Sequence, residues 1–341
     1  MNTKLSLCVT FVAVIGLSAC SVANAGTHCF PVTQDGKWGY TNDEGKMVVT
    51  PQYDQAGPFS EGLARVEKDG RWGYIDTEGK CVIEPQFDRA FDFCGNLARV
   101  YKKEGLMSGK YGFIDKQGRL VVPYEYENAT DFSENLAAVA PEDKWGYINE
   151  SGKTVIEPQF EEAGMFYEGR AWVKVGGDLG GKYGYIDTDG KQQVKPTYED
   201  AGNFNDGLAA VKSNDKWGYI DKTGTMKITP QFDEATMFCD DLACVRTGET
   251  LGMGGKYGYI MKNGEYEISP RSTYEDARPF HDGLAAVKMS GLWGYIDKDG
   301  NTVIKPRFTY AGMFHDGYAQ VELQHNWRWV KKDGELLPVG K

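Results

Sequence analysis

One short phrase, written nine times, constrains this chain more than any other feature. Trp72 opens WGYIDTEG, Trp145 opens WGYINESG, Trp217 opens WGYIDKTG and Trp293 opens WGYIDKDG. The leading aromatic falls at Trp38, Trp72, Tyr111, Trp145, Tyr183, Trp217, Tyr257, Trp293 and Trp327, at intervals of 34, 39, 34, 38, 34, 40, 36 and 34 residues. A second landmark, the valine of GLAAV, recurs at Val32, Val66, Val100, Val139, Val173, Val211, Val245, Val287 and Val321. Each aromatic lies 28 residues before the next valine, except Tyr257, where the gap is 30. From valine to aromatic the gap is 6 in six copies, and 11, 10 and 12 before Tyr111, Tyr183 and Tyr257. Length variation is therefore confined almost wholly to one connection. The copies that lengthen it, the third, fifth and seventh, are also those with Tyr in place of Trp.

Each copy reads as three short strands: one like LAAVK, one like WGYID and one like KTVIEP, all rich in β-branched or aromatic residues. The turn between the second and third, DKTG or DTEG, starts with an Asp that can bond its own backbone and ends on a Gly suited to positive φ. Proline closes the third strand because it cannot donate to a ladder interior. A connector such as QFEEAGMFYEG follows, and its rings, Phe160 and Phe166 among them, are expected to plug the gap between units. A three-stranded sheet cannot shield its own apolar side chains, so stacked copies bury what one copy cannot.

The glycine after the aromatic, Gly218 for example, costs a strand about 0.5–1 kcal/mol against Ala, so the repeat must need the space. A ring from a neighbouring strand lying over the bare backbone would use it. The ninth copy, NWRWVKKDG, carries Arg328 there, which reads as a cap on a terminal unit with no further neighbour.

The phrases KWGYIDKTG, RWGYIDTEG and KWGYINESG, with PQFDEA downstream, resemble the WG-repeat (KWG) family of bacterial proteins, from about Cys29 to Pro338. The resemblance implies a β-rich array, often exported, without assigned catalytic residues. Tyr for Trp in three copies, Met261 where Asp is usual, and the altered last copy depart from the family pattern. The expected fold is all-β: nine repeats of 34 to 40 residues, each a three-stranded antiparallel meander, stacked as an open twisted solenoid over residues 26–341. Propellers typically have about four to eight blades of four strands, and every unit here reads as whole. A closed propeller-like ring is the alternative, its fourth strand hidden in the connector.

Residues 1–25 read as a signal peptide: Lys4 gives a positive start, and Leu5 to Leu17 form an apolar run too short to span a bilayer. Leu17-Ser18-Ala19-Cys20 resembles a bacterial lipobox, which makes Cys20 the expected lipidation site and the lipid the only membrane contact. Exported, lipid-anchored protein at the envelope, with outer-membrane sorting implied by Ser21, is the expectation. Cleavage after Ala25 would instead release a soluble periplasmic or secreted form. Of seven cysteines, Cys29, Cys81, Cys94, Cys239 and Cys244 follow the leader. An odd number leaves at least one without a partner in the chain, and spacing does not decide between bridges and small buried residues.

The formal charge of −11 argues against nucleic acid as a partner. His281 and His315 stand in FHDG, but other copies read FSEG, FYEG and FNDG there, so the histidines are variable turn residues. DTDG at 187–190 and DKDG at 297–300 lack the closing Glu of a calcium loop. No phosphate loop or nucleophile elbow is present, and no cofactor, metal or enzymatic activity is expected. The long connections, KKEGLMSGK (102–110), GGDLGGK (176–182) and TGETLGMGGK (247–256), carry Leu106, Met107, Leu179, Leu251 and Met253 as candidate binding residues. Were successive units related by about half a revolution, these alternate loops would share one face, suited to binding. The expected function is a non-enzymatic protein-interaction scaffold or binding module whose partners are envelope proteins. A glycan-binding module using exposed rings such as Tyr198 and Tyr274, or a structural spacer, is the alternative.

Overall fold

In every blade but the first, the phrase supplies the third strand of a small antiparallel sheet. The computed structural model describes residues 28–106, 108–177, 180–250 and 253–338, and nine such sheets occur among them. The expected signal peptide, with Cys20 and Ala25, lies outside the described residues. The fifth sheet, or blade, shows the plan: strand a is Glu162–Ala163, b is Ala171–Val175, c is Lys182–Ile186 and d is Gln192–Tyr198, hydrogen-bonded in that order. Strands b, c and d are the three read from sequence. Strand a comes from the connector and joins the sheet of the following copy, Ala163 opposite Val173.

The open solenoid of three-stranded units is thus corrected on both counts. Seven sheets have four strands, and the chain closes into a nine-bladed β-propeller. Among the described residues, blade 1 (Cys29–Gln34, Lys37–Asn42, Met47–Tyr53) has no strand a. Blade 9 (Tyr310–Ala311, Tyr318–Leu323, Asn326–Lys331) lacks a full strand d, of which a single bridge, Val330 to Leu336, remains. The two incomplete blades meet. Phe30 packs against Trp329 and Tyr318, with ring centroids 5.0 and 4.7 Å apart, and the Trp329 indole N–H donates to the Pro31 carbonyl at 3.0 Å. Closure wins for the reason that makes each copy need the next. An open array would leave Phe30, 5% exposed in the ring, and its partner Trp329 on two wet end faces.

The seams between blades are built from one repeated contact. The tyrosine of WGY is buried, and its hydroxyl donates to a main-chain carbonyl of the next blade: Tyr40 to Gly57, Tyr147 to Gly164, Tyr219 to Thr236 and Tyr295 to Gly312, at 2.8, 2.8, 2.9 and 2.9 Å. The same ring meets a connector phenylalanine at a steep angle, as Tyr219 meets Phe238 edge-on at 4.9 Å. The plugs expected from sequence, Phe160 and Phe166, sit in a cluster that joins Tyr147 and Ile156 of blade 4 to Ala171 and Val173 of blade 5. Trp329 holds the tyrosine position in blade 9. Its longer side chain reaches strand b of blade 1, which has no strand a among the described residues.

The glycine has a different cause from the one expected. Between the pairs Trp217↔Phe232 and Tyr219↔Ile228, strand d bulges, placing residues 229–231 opposite Gly218 alone. A Cβ on Gly218 would lie 2.4 Å from the Ile228 carbonyl oxygen and 2.7 Å from the Pro230 nitrogen. Main chain of the adjacent strand, not a neighbouring ring, occupies the space. Pro230 stands inside strand d (Met226–Phe232), at this bulge on a sheet edge. Blade 9 does have a neighbour, namely blade 1. What it lacks is the bulged strand, so Arg328 fits there.

Candidate functional site

Strand direction sorts the loops onto two faces. The a–b and c–d turns leave one face of the ring, and the b–c hairpins and d–a connectors leave the other. Copies that carry long connections therefore share a face because every b–c hairpin projects from it. The expected half-revolution between successive units is not needed.

On the turn face the repeated carboxylates serve the fold. Glu61 accepts from the main-chain N–H of Gly95 and Asn96 at 2.8 and 3.0 Å, Glu134 from Gly169 at 2.9 Å, Asp240 from Gly283 at 2.6 Å and Asp282 from Gly317 at 2.8 Å. Each carboxylate grips the equivalent turn of the next blade. His281 and His315 occupy one repeat position in adjacent blades, so the ring brings them together with centroids 4.2 Å apart. Burial, with His281 beside it, holds the His315 imidazole below its ordinary pKa. Asp187 and Asp297 close their own turns, accepting from Lys191 and Asn301 N–H at 2.9 and 2.8 Å. The turn reading of DTDG and DKDG stands on those bonds. No group of three or more potential metal ligands occurs among the described residues. Cys29, Cys81, Cys94, Cys239 and Cys244 are thiols, without a disulfide among them. Burial pushes the Cys239 thiol up to about 11.

On the hairpin face, an acid of the d–a connector holds the b–c hairpin in several blades. Asp54 accepts from Asp69 N–H at 2.9 Å, Asp88 from Lys103 N–H at 2.9 Å, and Glu199 from Asn214 and Asp215 N–H at 3.1 and 3.0 Å. The basic residue that opens the phrase pairs with the same acid, as Lys37 does with Asp54 and Arg71 with Asp88. This explains why a lysine or arginine so often precedes the aromatic.

Of the candidate binding residues, Leu106 is 94% exposed at the tip of the hairpin between Leu97–Lys103 and Gly109–Asp115 in blade 3. Met107, Leu179 and Leu251 lie outside the described residues. Met253 begins strand c of blade 7, opposite Thr250. At the foot of the first long hairpin an open cleft separates blades 2 and 3, lined by Arg71, Phe87, Asp88, Tyr101, Lys102 and Tyr124 among others. Arg71 donates to Asp88 Oδ1 at 2.7 Å, and the Lys102 ammonium stands 5.7 Å from the Tyr124 ring centroid. Burial, then the Asp88 charge, raises the Tyr124 phenol pKa. The arrangement offers cationic heads on a rigid aromatic floor. Sequence reasoning did not single these residues out. The signal was there: Tyr124 replaces a proline found at Pro51, Pro85, Pro158, Pro196, Pro230, Pro270 and Pro306, and Tyr101 is the single ring at its position in the nine copies.

Nine four-stranded or near-complete sheets around a closed ring, with hairpins gathered on one face, define a β-propeller built from a short internal repeat. The model of the WG containing repeat matches eight consecutive stretches, residues 38–72, 72–105, 111–144, 145–177, 183–217, 217–250, 257–293 and 293–327, and the chain belongs to that family. No curated protein matches it in sequence. A crystal structure of a eukaryotic initiation factor superposes with a TM-score of 0.67 at 13% identity, covering 92% of this chain and 95% of that one, which shows a common fold. Hsv2p of Kluyveromyces lactis (TM-score 0.44, 9% identity, 82% and 96% covered) is more distant. So is puromycin hydrolase (0.41, 11%, 72% and 52%). Neither carries weight here. No helix among the described residues is long and apolar enough to cross a membrane.

Proposed function

We propose that this protein is a non-enzymatic scaffold that binds other proteins through its hairpin face and is held at the cell envelope by lipid on Cys20. The observation that carries the reading is the placement of three lengthened hairpins, in blades 3, 5 and 7, on one face of an otherwise regular ring, with Leu106 fully presented to solvent. Rings suited to sugar stacking would have to be exposed in a row. Tyr274 is 3% exposed and Tyr198 is half-buried, which favours protein over glycan as the partner.

The test is crosslinking in intact envelopes, read by mass spectrometry. Wild type is compared with a chain whose three long hairpins are cut to the six-residue spacing of the other copies. Specific protein partners that vanish with the hairpins are the expected result, and capture of no protein by either form would sink the scaffold. The anchor is tested separately by fractionating Cys20→Ser, which should move to the soluble fraction.

A further inference from the structure

We propose that the cleft beside the first long hairpin binds an acidic peptide segment, so that the partner of the hairpin face is a protein offering a carboxylate-rich stretch; this rests on the scaffold reading above. Repeat proteins keep what the fold needs in every copy, so side chains that depart from the repeat and also converge in space are free to serve a ligand. Tyr101, Tyr124 and the Lys102-Lys103 pair are such departures, and they meet in one place. Tyr124 packs partly on the seam of blades 2 and 3, whereas the two lysine heads take no part in the seams or the bulge.

The chemistry of the cleft is cationic. Lys102 and Lys103 are exposed, and among the described residues neither enters an ion pair. The Arg71 guanidinium, half-exposed, shares its charge with Asp88. On a chain of net charge −11, this is a local reversal of sign. An acidic partner is repelled elsewhere and attracted here, which fixes its docking position and orientation more than it adds raw affinity. Leu106, next to the cleft, supplies an apolar contact that a peptide side chain can use.

The same rings argue against a sugar. One side of Tyr101 lies against Gly109, where a Cβ would come 2.5 Å from its hydroxyl. Its ring also meets Tyr111 at 4.9 Å and the Arg89 guanidinium at 5.6 Å. Tyr124 has Lys102 over it. The ring faces are used within the protein and leave no flat platform for a pyranose. What remains accessible is hydroxyl, ammonium and guanidinium, which are donors for carboxylates.

The test is fluorescence anisotropy with the full-length chain in detergent and a fluorescein-labelled peptide of Glu, Asp, Leu and Ser. A second peptide has Gln and Asn in place of the acids, and polygalacturonate serves as an acidic-sugar competitor. The acidic peptide should bind, more weakly as salt rises. Lys102→Glu/Lys103→Glu should weaken it at least about tenfold. Lys153→Glu/Lys191→Glu, on the turn face, should leave it unchanged and controls for overall charge. Failure of the acidic peptide to bind, equal binding of the neutral peptide, or equal loss in both variants overturns the proposal. Polygalacturonate binding that alone depends on Lys102 and Lys103 overturns it in favour of a sugar. The scaffold reading fails differently. If partner capture in envelopes survives Lys102→Glu/Lys103→Glu but not hairpin shortening, the scaffold stands and the acidic-peptide cleft falls.

Discussion

The Trp329 indole N–H donates to the carbonyl of Pro31 across 298 residues of sequence, and that bond lies where the ring shuts. It takes the place of the tyrosine-to-carbonyl bond found between other blades. Trp329→Phe keeps a ring but strands the Pro31 carbonyl, and should cost about 1–2 kcal/mol, as Tyr219→Phe should at an internal seam. Phe30→Ala and Trp329→Ala should then be non-additive by about 0.5–1.5 kcal/mol in urea unfolding, since they remove two sides of one contact. Simple additivity would mean the ends do not meet in solution.

Gly218 and Arg328 hold the same repeat position under opposite constraints. Gly218→Ala drives a methyl into the main chain of Ile228 and Pro230 and should destabilise by about 2–3 kcal/mol. Arg328→Gly meets no such strand and should change stability by no more than about 1 kcal/mol. Thermal unfolding of the two variants decides it. If Gly218→Ala were tolerated as well as Arg328→Gly, crowding by strand d would not be the reason for the glycine.

The seam tyrosines make the ring sensitive to base. Burial raises the phenol pKa of Tyr40, Tyr74, Tyr147, Tyr185, Tyr219, Tyr259 and Tyr295 in the folded chain. A raised folded-state pKa gives stability that is complete below the unfolded value, about 10, and drains away as pH climbs past it. Circular dichroism should show cooperative loss of structure above about pH 10. Independent titration of these phenols with the sheets intact would contradict their burial.

His315 gives a weaker dependence at the acid end. Its imidazole is held below the ordinary 6.5 by burial and by His281, with Asp282 and Asp316 opposing. A depressed value gives stability present above 6.5 that is lost as pH falls through the folded-state pKa. His315→Asn should flatten the fall in melting temperature between about pH 7.5 and about pH 5. Asn is suitable because Asn205 holds the same position in blade 6 and donates to the Phe238 carbonyl at 2.6 Å. An unchanged slope would assign the acid sensitivity to other groups.

Strands b, c and d, the connector rings and the count of nine were legible because they repeat. The ring was not, because closure depends on the two copies that depart from the pattern. Phe30, Trp329 and Pro338 carry it, and Pro338 rests on Gly45 as Ile156 rests on Gly190 between intact blades. Strand a was hidden by its length, two residues in blade 5, too short for any alternation to show. The glycine was legible as a need for space, but its occupant was not, since a bulge leaves no periodic trace. Tyr101 and Tyr124 were missed for the opposite reason: reading the consensus averages away single-copy changes.

The uneven placement of the long hairpins has an effect on the hairpin face. Long hairpins in blades 3, 5 and 7 span an arc of five blades, and blades 8, 9, 1 and 2 carry only short ones. Nine equal units would let a partner settle in nine indistinguishable rotations. The lopsided arc removes that degeneracy and works like a keyway, so that whatever lands on this surface has a single angular setting.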